Sequence, residues 1–168
     1  WNPFANHAAD EQLKVRSKDY GAALLQFDLA SELPADAVIM QAWLEMYAVS
    51  RTCTDAIELR AYPLVREWIA GEANWYQATN GQYWGEPGAS DTTSDCWPQP
   101  AASQTANATD QWVSLDVTTL IRHWLQYPEM NLGVVIRGDA ENDVEYGFYS
   151  NEYPWSIALH PRLMITYQ

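Results

Sequence analysis

Apolar and polar residues alternate with a period of two in several short windows of the chain, and turn-forming residues separate these windows. Successive side chains of a strand point to opposite faces, so this alternation predicts strands with one face in the core. Eight windows follow the pattern: 13–17, 22–29, 37–49, 57–62, 112–117, 133–137, 146–150 and 163–167. In the longest window, Leu44 and Met46 share one face. Trp43, Glu45 and Tyr47 share the other, and one of these two faces is open to water or a partner.

One segment, residues 117–126, has helical periodicity. Its apolar residues follow the i, i+3, i+4, i+7, i+8 spacing of an amphipathic helix: Val117, Leu120, Ile121, Trp124 and Leu125. Asp116 or Thr118 is able to cap the start of this helix, and Pro128 stops it. Residues 64–70 are a second candidate, for a single turn of helix.

Eight strands and one crossing helix predict an all-β fold, a two-sheet antiparallel β-sandwich. A jelly roll is favoured over an immunoglobulin-like topology, because the Cys and Trp spacing of immunoglobulin domains is absent. The 168 residues suit one domain. Within it we expect an N-terminal arm, residues 1–12, and a long loop, residues 85–111, where Gly, Pro, Ser and Thr accumulate without periodicity.

The chain is strongly acidic, with 22 Asp and Glu against nine Lys and Arg and a formal net charge of -13. This charge repels nucleic acids, anionic lipids and polyanionic glycans, so a neutral or cationic partner is favoured. No run of 18 apolar residues is present, so we expect no insertion into a membrane. The sequence begins at Trp1 without an initiator methionine, as a mature secreted protein or an excised domain would.

Two cysteines, Cys53 and Cys96, are the only ones in the sequence, and neither belongs to a CxxC motif. In a secreted domain a disulfide between them is the leading interpretation, and two free thiols are the alternative.

The order of seven sequence blocks is more specific than any one block. AALLQFDLASELPADAVIMQAWLEMYAV is followed by EWIAGEANW, GEPG, WVSLDVTTLIRHWL, NLGVVIRG, FYSNEY and HPRLMITY. This succession resembles a DNRLRE domain, a bacterial and archaeal cell-surface module similar to carbohydrate-binding modules of polysaccharide lyases. The resemblance runs from about Leu13 to Tyr167, and only the opening residues WNPFANHAADEQ depart from it. Trp68, Trp75 and Trp84 occupy places where the family pattern has tryptophan whether or not a member binds sugar, so packing is the favoured role for them.

Aromatic content is the main sign of an interaction surface, since the chain has nine Trp and ten Tyr but only three Phe. Six rings are the candidates for a glycan platform or a protein interface: Trp1, Trp43, Tyr76, Tyr83, Trp97 and Trp155. Asn80, Gln82 and Asn151 are the polar neighbours that would take sugar hydroxyls.

Other chemistry is weakly signalled. GDAENDVE places Asp139, Glu141, Asp143 and Glu145 at alternate positions, which offers oxygen ligands to Ca²⁺, although the glycine and terminal glutamate of an EF-hand are missing and a solvated acidic loop is favoured. Asn107 begins an Asn-Ala-Thr glycosylation acceptor. No motif selects a nucleophile, a phosphate loop or a carboxylate pair, so we expect a non-catalytic protein and no certain cofactor.

Two functions follow from these observations. The first, favoured narrowly, is a self-assembling subunit of an extracellular fibre or adhesive matrix, in which surplus aromatic rings form contacts between copies and residues 1–12 donate a strand to the next copy. The second is a secreted, cell-surface carbohydrate-binding module that recognises a polysaccharide through its surface aromatics, as the family resemblance also implies. Its partner would be a neutral glycan, because the net charge disfavours polyuronates unless Ca²⁺ bridges the acids.

Overall fold

The two-residue alternation of the sequence builds the strands of two packed sheets in a computed structural model that describes residues 2–34 and 36–168. The strands are β1 (Gln12–Arg16), β2 (Ala23–Leu25), β3 (Ile39–Arg51), β4 (Ile57–Pro63), β5 (Gln77–Thr79), β6 (Gln82–Tyr83), β7 (Ala102–Ala106), β8 (Gln111–Asp116), β9 (Val134–Asp139), β10 (Glu145–Tyr149) and β11 (Arg162–Tyr167). One helix, α1 (Thr118–Gln126), and two short 3-10 turns, Pro128–Met130 and Ile157–Leu159, are the helical elements of the described residues.

Sheet A has the order β1-β10-β3-β8, and sheet B has the order β2-β9-β4-β7. All of these pairings are antiparallel, and the chain alternates between the sheets from β1 to β4 and again from β7 to β10, in the manner of a jelly roll. The prediction of an all-β sandwich with one helix at 117–126 is therefore confirmed.

Two strands, β10 and β11, pair with the same edge of β3. β11 pairs with the first half of β3, from Ile39 to Glu45, whereas β10 pairs with its last residues, from Ala48 to Arg51. β10 and β11 thus lie end to end along one edge, and residues 150–161 leave the sheet between them. We call residues 150–161 the excursion.

The core lies between the inner faces of the two sheets, where every second side chain of a strand points inward. On β3 the inward set is Ala42, Leu44, Met46 and Ala48, each at most 2% exposed. Helix α1 adds Leu120, Ile121 and Trp124 to the same cluster. The other face of β3, which carries Trp43, Glu45 and Tyr47, points away from this core and is half-buried.

Residues 64–98 cover the outer face of sheet B. They form a second apolar cluster against β9, in which Leu64, Trp84 and Cys96 are buried with Val135, and Trp68 packs against them. The indole nitrogens of both tryptophans are satisfied, because Trp68 Nε1 donates to the Leu132 carbonyl at 2.9 Å and Trp84 Nε1 donates to the Asn74 carbonyl at 3.0 Å. The packing role predicted for these tryptophans is confirmed.

Trp75 also packs inside this segment. Gly88 lies against its ring so closely that a Cβ atom at Gly88 would come within 2.6 Å of Trp75 Cη2. The tryptophan-rich stretch is therefore a cover for sheet B.

Several local predictions were wrong. The predicted loop 85–111 contains β7, which pairs with β4 and was missed because its residues ASQTA are nearly all small or polar. Residues 64–70 contain no helix, since they leave β4 to enter the cover of sheet B. The window 22–29 yields a strand only over Ala23–Leu25, because the Asp28 carboxylate accepts hydrogen bonds from the next backbone N–H groups and turns the chain.

The two cysteines are free thiols, in place of the disulfide favoured from the sequence. Cys96 is buried in the cover of sheet B, whereas Cys53 packs against the main core between the sheets. The two thiols therefore lie in separate apolar clusters.

The N-terminal arm lies on its own molecule. Asn6 Nδ2 donates to the carbonyls of Ala70 and Ala73 at 2.6 and 2.7 Å, and the ring of Phe4 lies 4.8 Å from that of Tyr76. Of residues 2–12, only Gln12 belongs to a strand, the start of β1.

Candidate functional site

The outer face of sheet A is the sheet face that residues 64–98 leave open. Three rows of side chains cross it, set by Trp43, Glu45 and Tyr47 of β3. Because alternate residues of a strand lie about 6.7 Å apart, these rows span about 13 Å. A concave or flat sheet face that mixes rings with polar groups is a common form of ligand site.

Four aromatic side chains form what we call the aromatic wall: Tyr47, Trp112, Tyr149 and Tyr153. Tyr149 and Tyr153 stack with ring centroids 3.7 Å apart, and Tyr47 lies parallel to Tyr149 at 6.0 Å. Trp112 meets Tyr47 edge-on at 5.4 Å. The wall joins strands β3, β8 and β10 to the excursion, so the rings fix one another's orientation.

Within the wall, the hydroxyl groups of Tyr149 and Tyr153 are hydrogen-bonded to each other. A hydrogen bond with the Tyr153 hydroxyl raises the pKa of Tyr149 to about 12, and partial burial adds to this rise. Tyr149 therefore offers a neutral hydroxyl group, able to donate and accept a hydrogen bond, at neutral pH.

The middle row consists of the polar residues Ser114, Glu45 and Arg162, which are joined by hydrogen bonds. Arg162 Nε donates to Glu45 Oε2 at 2.8 Å, and Ser114 Oγ donates to Glu45 Oε1 at 3.0 Å. The Arg162 guanidinium carbon lies 4.0 Å from the centroid of Trp112, so it covers that ring. One face of Trp112 is thus taken by the protein itself.

Trp43 dominates the third row, where it lies across β3 from Asp116 on β8 and Met164 on β11. Among the residues that the structure describes, no other ring or cation contacts Trp43, and Met164 beside it is 49% exposed. Hydrogen bonds from Thr118 hold the pKa of the Asp116 carboxyl below its usual range, so Asp116 is an anion at neutral pH. Beyond Trp43 the face continues into a shallow depression of about 580 Å³ lined partly by Gln41 and Asp116.

The excursion stands beside the aromatic wall and carries the most exposed apolar side chains near it. Trp155 is 80% exposed and Ile157 is 83% exposed. His160 Nε2 lies 2.8 Å from the carbonyl of Tyr153, which ties the returning chain to the wall.

The five described aromatics of the six predicted from the sequence do not come together. Trp43 lies on the open face and Trp155 lies on the excursion next to it. Trp97 packs edge-on against His123 of α1.

Tyr76 and Tyr83 belong to the cover of sheet B, where Tyr76 packs on Phe4 and Tyr83 is 62% exposed. Trp1 falls outside the described residues.

Three of the four acidic residues of the predicted calcium turn are opposed by cations. Asp139 pairs with Arg60 at 2.7 Å, Asp143 with Arg16 at 2.6 Å, and Glu145 with Lys14 at 3.8 Å, while Glu141 is exposed. The Arg16 hydrogen bond holds the pKa of Asp143 below its usual range. Within residues 2–34 and 36–168, no group of three or more His, Cys, Asp or Glu side chains is placed to hold a metal ion.

The glycosylation acceptor Asn107 is exposed in the turn between β7 and β8. Across the described part of the chain, no helix is both long and apolar enough to cross a membrane.

Sequence reasoning missed most of the site. Trp112, Tyr149, Tyr153 and Arg162 were not named as candidates, although Trp112 and Tyr149 belong to alternating windows on the same faces as polar residues. One sequence signal did point to this site: Tyr47 shares a face of the predicted strand with Trp43 and Glu45. Only strand pairing shows that these residues are neighbours.

Comparison with curated proteins finds no significant match to the chain. A family model, carbohydrate-binding module family 96, matches residues 76–167, more than half of the 168 residues. The match includes β8, α1 and β9–β11, and with them Trp112, Tyr149, Tyr153 and Arg162 of the open face. This match does not show the name DNRLRE. It does support a carbohydrate-binding module, as the resemblance implied. The chain belongs to carbohydrate-binding module family 96.

Proposed function

We propose that this protein is a non-catalytic, extracellular module that binds a polysaccharide on the outer face of sheet A. The observation that carries the proposal is the open face itself, where Trp43, the Arg162–Glu45 pair and the aromatic wall lie in successive rows. The other sheet has its outer face covered by the protein's own tryptophans. Membership in a carbohydrate-binding family supports a sugar as the ligand.

Each row has a distinct task in this proposal. Sugar rings have apolar C–H faces that pack on aromatic rings, and Trp43 is the indole of the open face that no other ring or cation among the described residues covers. The hydroxyl groups around the sugar edge need hydrogen-bond partners, which the polar middle row and the tyrosine hydroxyls provide. Three rows over about 13 Å suit the interior of an extended chain better than a single sugar.

The ligand class that we favour is a neutral polysaccharide. The net charge of -13 repels a polyanion at long range, and Asp116 adds a negative charge at the Trp43 end of the face. Within the middle row, Arg162 is neutralised by Glu45. The Arg162–Glu45 pair therefore carries no net charge that would attract a uronate.

A self-assembling fibre, the function favoured from composition, has no support from the family or from the structure. Residues 2–11 of the proposed donor segment, residues 1–12, contact the 70–76 segment of the same molecule. The family match supports carbohydrate as the partner.

The test is affinity electrophoresis and calorimetry with soluble neutral glucans, xylan and mannan, and with a polyuronate with and without Ca²⁺. Trp43→Ala is expected to weaken the best interaction by about 30-fold, the roughly 2 kcal/mol typical of a central tryptophan. Tyr83→Ala is the matched control, since Tyr83 is equally a surface aromatic but lies over sheet B. Equal binding by both variants would move the site off this face, and failure of the wild type on every polymer would refute the proposal.

A further inference from the structure

Arg162 is held in one orientation from two sides. Its Nε donates to Glu45 Oε2 at 2.8 Å, and its guanidinium carbon lies 4.0 Å from the centre of the Trp112 ring. Glu45 is itself fixed, because its second carboxylate oxygen accepts from Ser114 and its side chain is only 18% exposed. A guanidinium restrained in this way has lost its rotational freedom before any ligand arrives.

The two terminal nitrogens of Arg162 remain available. Within the described residues, neither Nη1 nor Nη2 has a hydrogen-bond partner, and the side chain is 42% exposed. Their N–H groups form the rigid fork that matches two acceptor oxygens at once. Glu45 accepts one hydrogen bond from Ser114 and one from Arg162 Nε, and it forms none with the two terminal nitrogens of Arg162.

Arg162 is also adjacent to the proposed stacking ring. It lies two residues before Met164 on β11, and Met164 is the cross-strand partner of Trp43. A sugar packed on Trp43 therefore presents its edge to the next row, about 7 Å away, where the fork lies. The opposite charge of Glu45 leaves the row without net charge, which favours hydroxyl oxygens over a carboxylate as the acceptors.

We propose that Arg162 is the specificity-determining residue of this face, and that its fork binds two adjacent hydroxyl groups of a neutral polysaccharide. This inference rests on the proposed function and adds to it a substrate feature, a vicinal diol, and the residue that recognises it.

The test compares Arg162→Lys and Arg162→Gln with the wild type on soluble β-1,4-linked glucan, xylan and mannan and on a soluble β-1,3-linked glucan. The β-1,3 linkage uses the hydroxyl that lies between the other two ring hydroxyls, so it leaves no vicinal diol while the sugar ring stays intact. Lysine keeps the charge beside Glu45 but has no fork, whereas glutamine loses both. Arg60→Gln is the matched control, because Arg60 is ion-paired with Glu58 and Asp139 on the outer face of sheet B.

The wild type is expected to bind the β-1,3-linked glucan about tenfold more weakly than the best β-1,4-linked polymer, as the loss of two hydrogen bonds implies. Both Arg162 variants should show the same tenfold loss on that β-1,4-linked polymer and no further loss on the β-1,3-linked glucan, because the two changes remove one interaction. Arg60→Gln should behave as the wild type. Thermal unfolding of each variant checks that the fold is kept.

The inference is overturned if Arg162→Lys binds the best β-1,4-linked polymer as tightly as the wild type, or if both proteins lose the same factor on the β-1,3-linked glucan. It is also overturned if the wild type binds the polyuronate more tightly than any neutral polymer, although carbohydrate binding would then stand. A wild type that binds no polymer removes the proposed function, and the inference with it.

Discussion

Replacing Trp84 by alanine should destabilise the protein strongly, because this ring is an internal part of the cover over sheet B. Trp84 is 5% exposed and packs in one cluster with Leu64, Cys96 and Val135. Its Nε1 donates to the Asn74 carbonyl at 3.0 Å. The substitution therefore opens a cavity against β9 and leaves a carbonyl without its donor.

The expected cost has two parts. Truncating a buried tryptophan to alanine costs about 3–5 kcal/mol, and the lost hydrogen bond adds about 1 kcal/mol. A total of about 5 kcal/mol lowers the melting temperature of a domain of this size by about 10–20 °C. The midpoint of urea unfolding should fall by about 2 M, with a slope that stays unchanged.

Trp155→Ala is the matched control, since it makes the same substitution at a ring that is 80% exposed. A surface change of this kind stays within about 0.5 kcal/mol of the wild type. Urea denaturation followed by circular dichroism measures both variants without depending on tryptophan fluorescence. If Trp84→Ala unfolds within 1 kcal/mol of Trp155→Ala, the cover of residues 64–98 does not stabilise the fold as argued.

Three further measurements test the structure. Absorbance titration should find one phenol that ionises at about pH 12 and that is absent in Tyr149→Phe. Because this pKa lies above the ordinary value, the contribution of Tyr149 to the free energy of unfolding should be complete below pH 10 and decline above it. A thiol reagent should leave Cys96 unreacted in the native protein, since burial raises its pKa, and should count both Cys53 and Cys96 after denaturation without reductant. Gly88→Ala should destabilise more than Gly81→Ala, because both glycines have positive φ, +77° and +79°, but only Gly88 faces a ring.

Each of these measurements has a contrary outcome. Tyr149→Phe with an unchanged titration curve would disprove the hydrogen bond with Tyr153. Denatured protein without a free thiol would mean that the cysteines form the disulfide after all. Equal effects of the two glycine variants would mean that Trp75 does not pack on Gly88 as described.

The strands and the helix were predictable because each follows from a local rule. The alternation in residues 37–49 fixed which side chains of β3 share a face, and the 3.6-residue spacing in 117–126 gave α1. β7 escaped because a strand of small and polar residues at a sheet edge has no apolar period, and its membership depends on pairing with β4. The turn at Asp28 shortened β2 through side-chain hydrogen bonds that propensity alone does not weigh.

The sequence by itself determined that the chain is an acidic, tryptophan-rich all-β sandwich with one helix, since composition and periodicity are properties of neighbouring residues. Only the tertiary structure decided which aromatics are packing and which are surface. Trp84 and Trp43 look alike in the sequence, but one is 5% exposed under a folded segment and the other lies on an open sheet face. The row of Ser114, Glu45 and Arg162 joins residues that are up to 117 positions apart. Sheet register alone brings them within hydrogen-bond distance, because pairing across strands depends on contacts that no local pattern encodes.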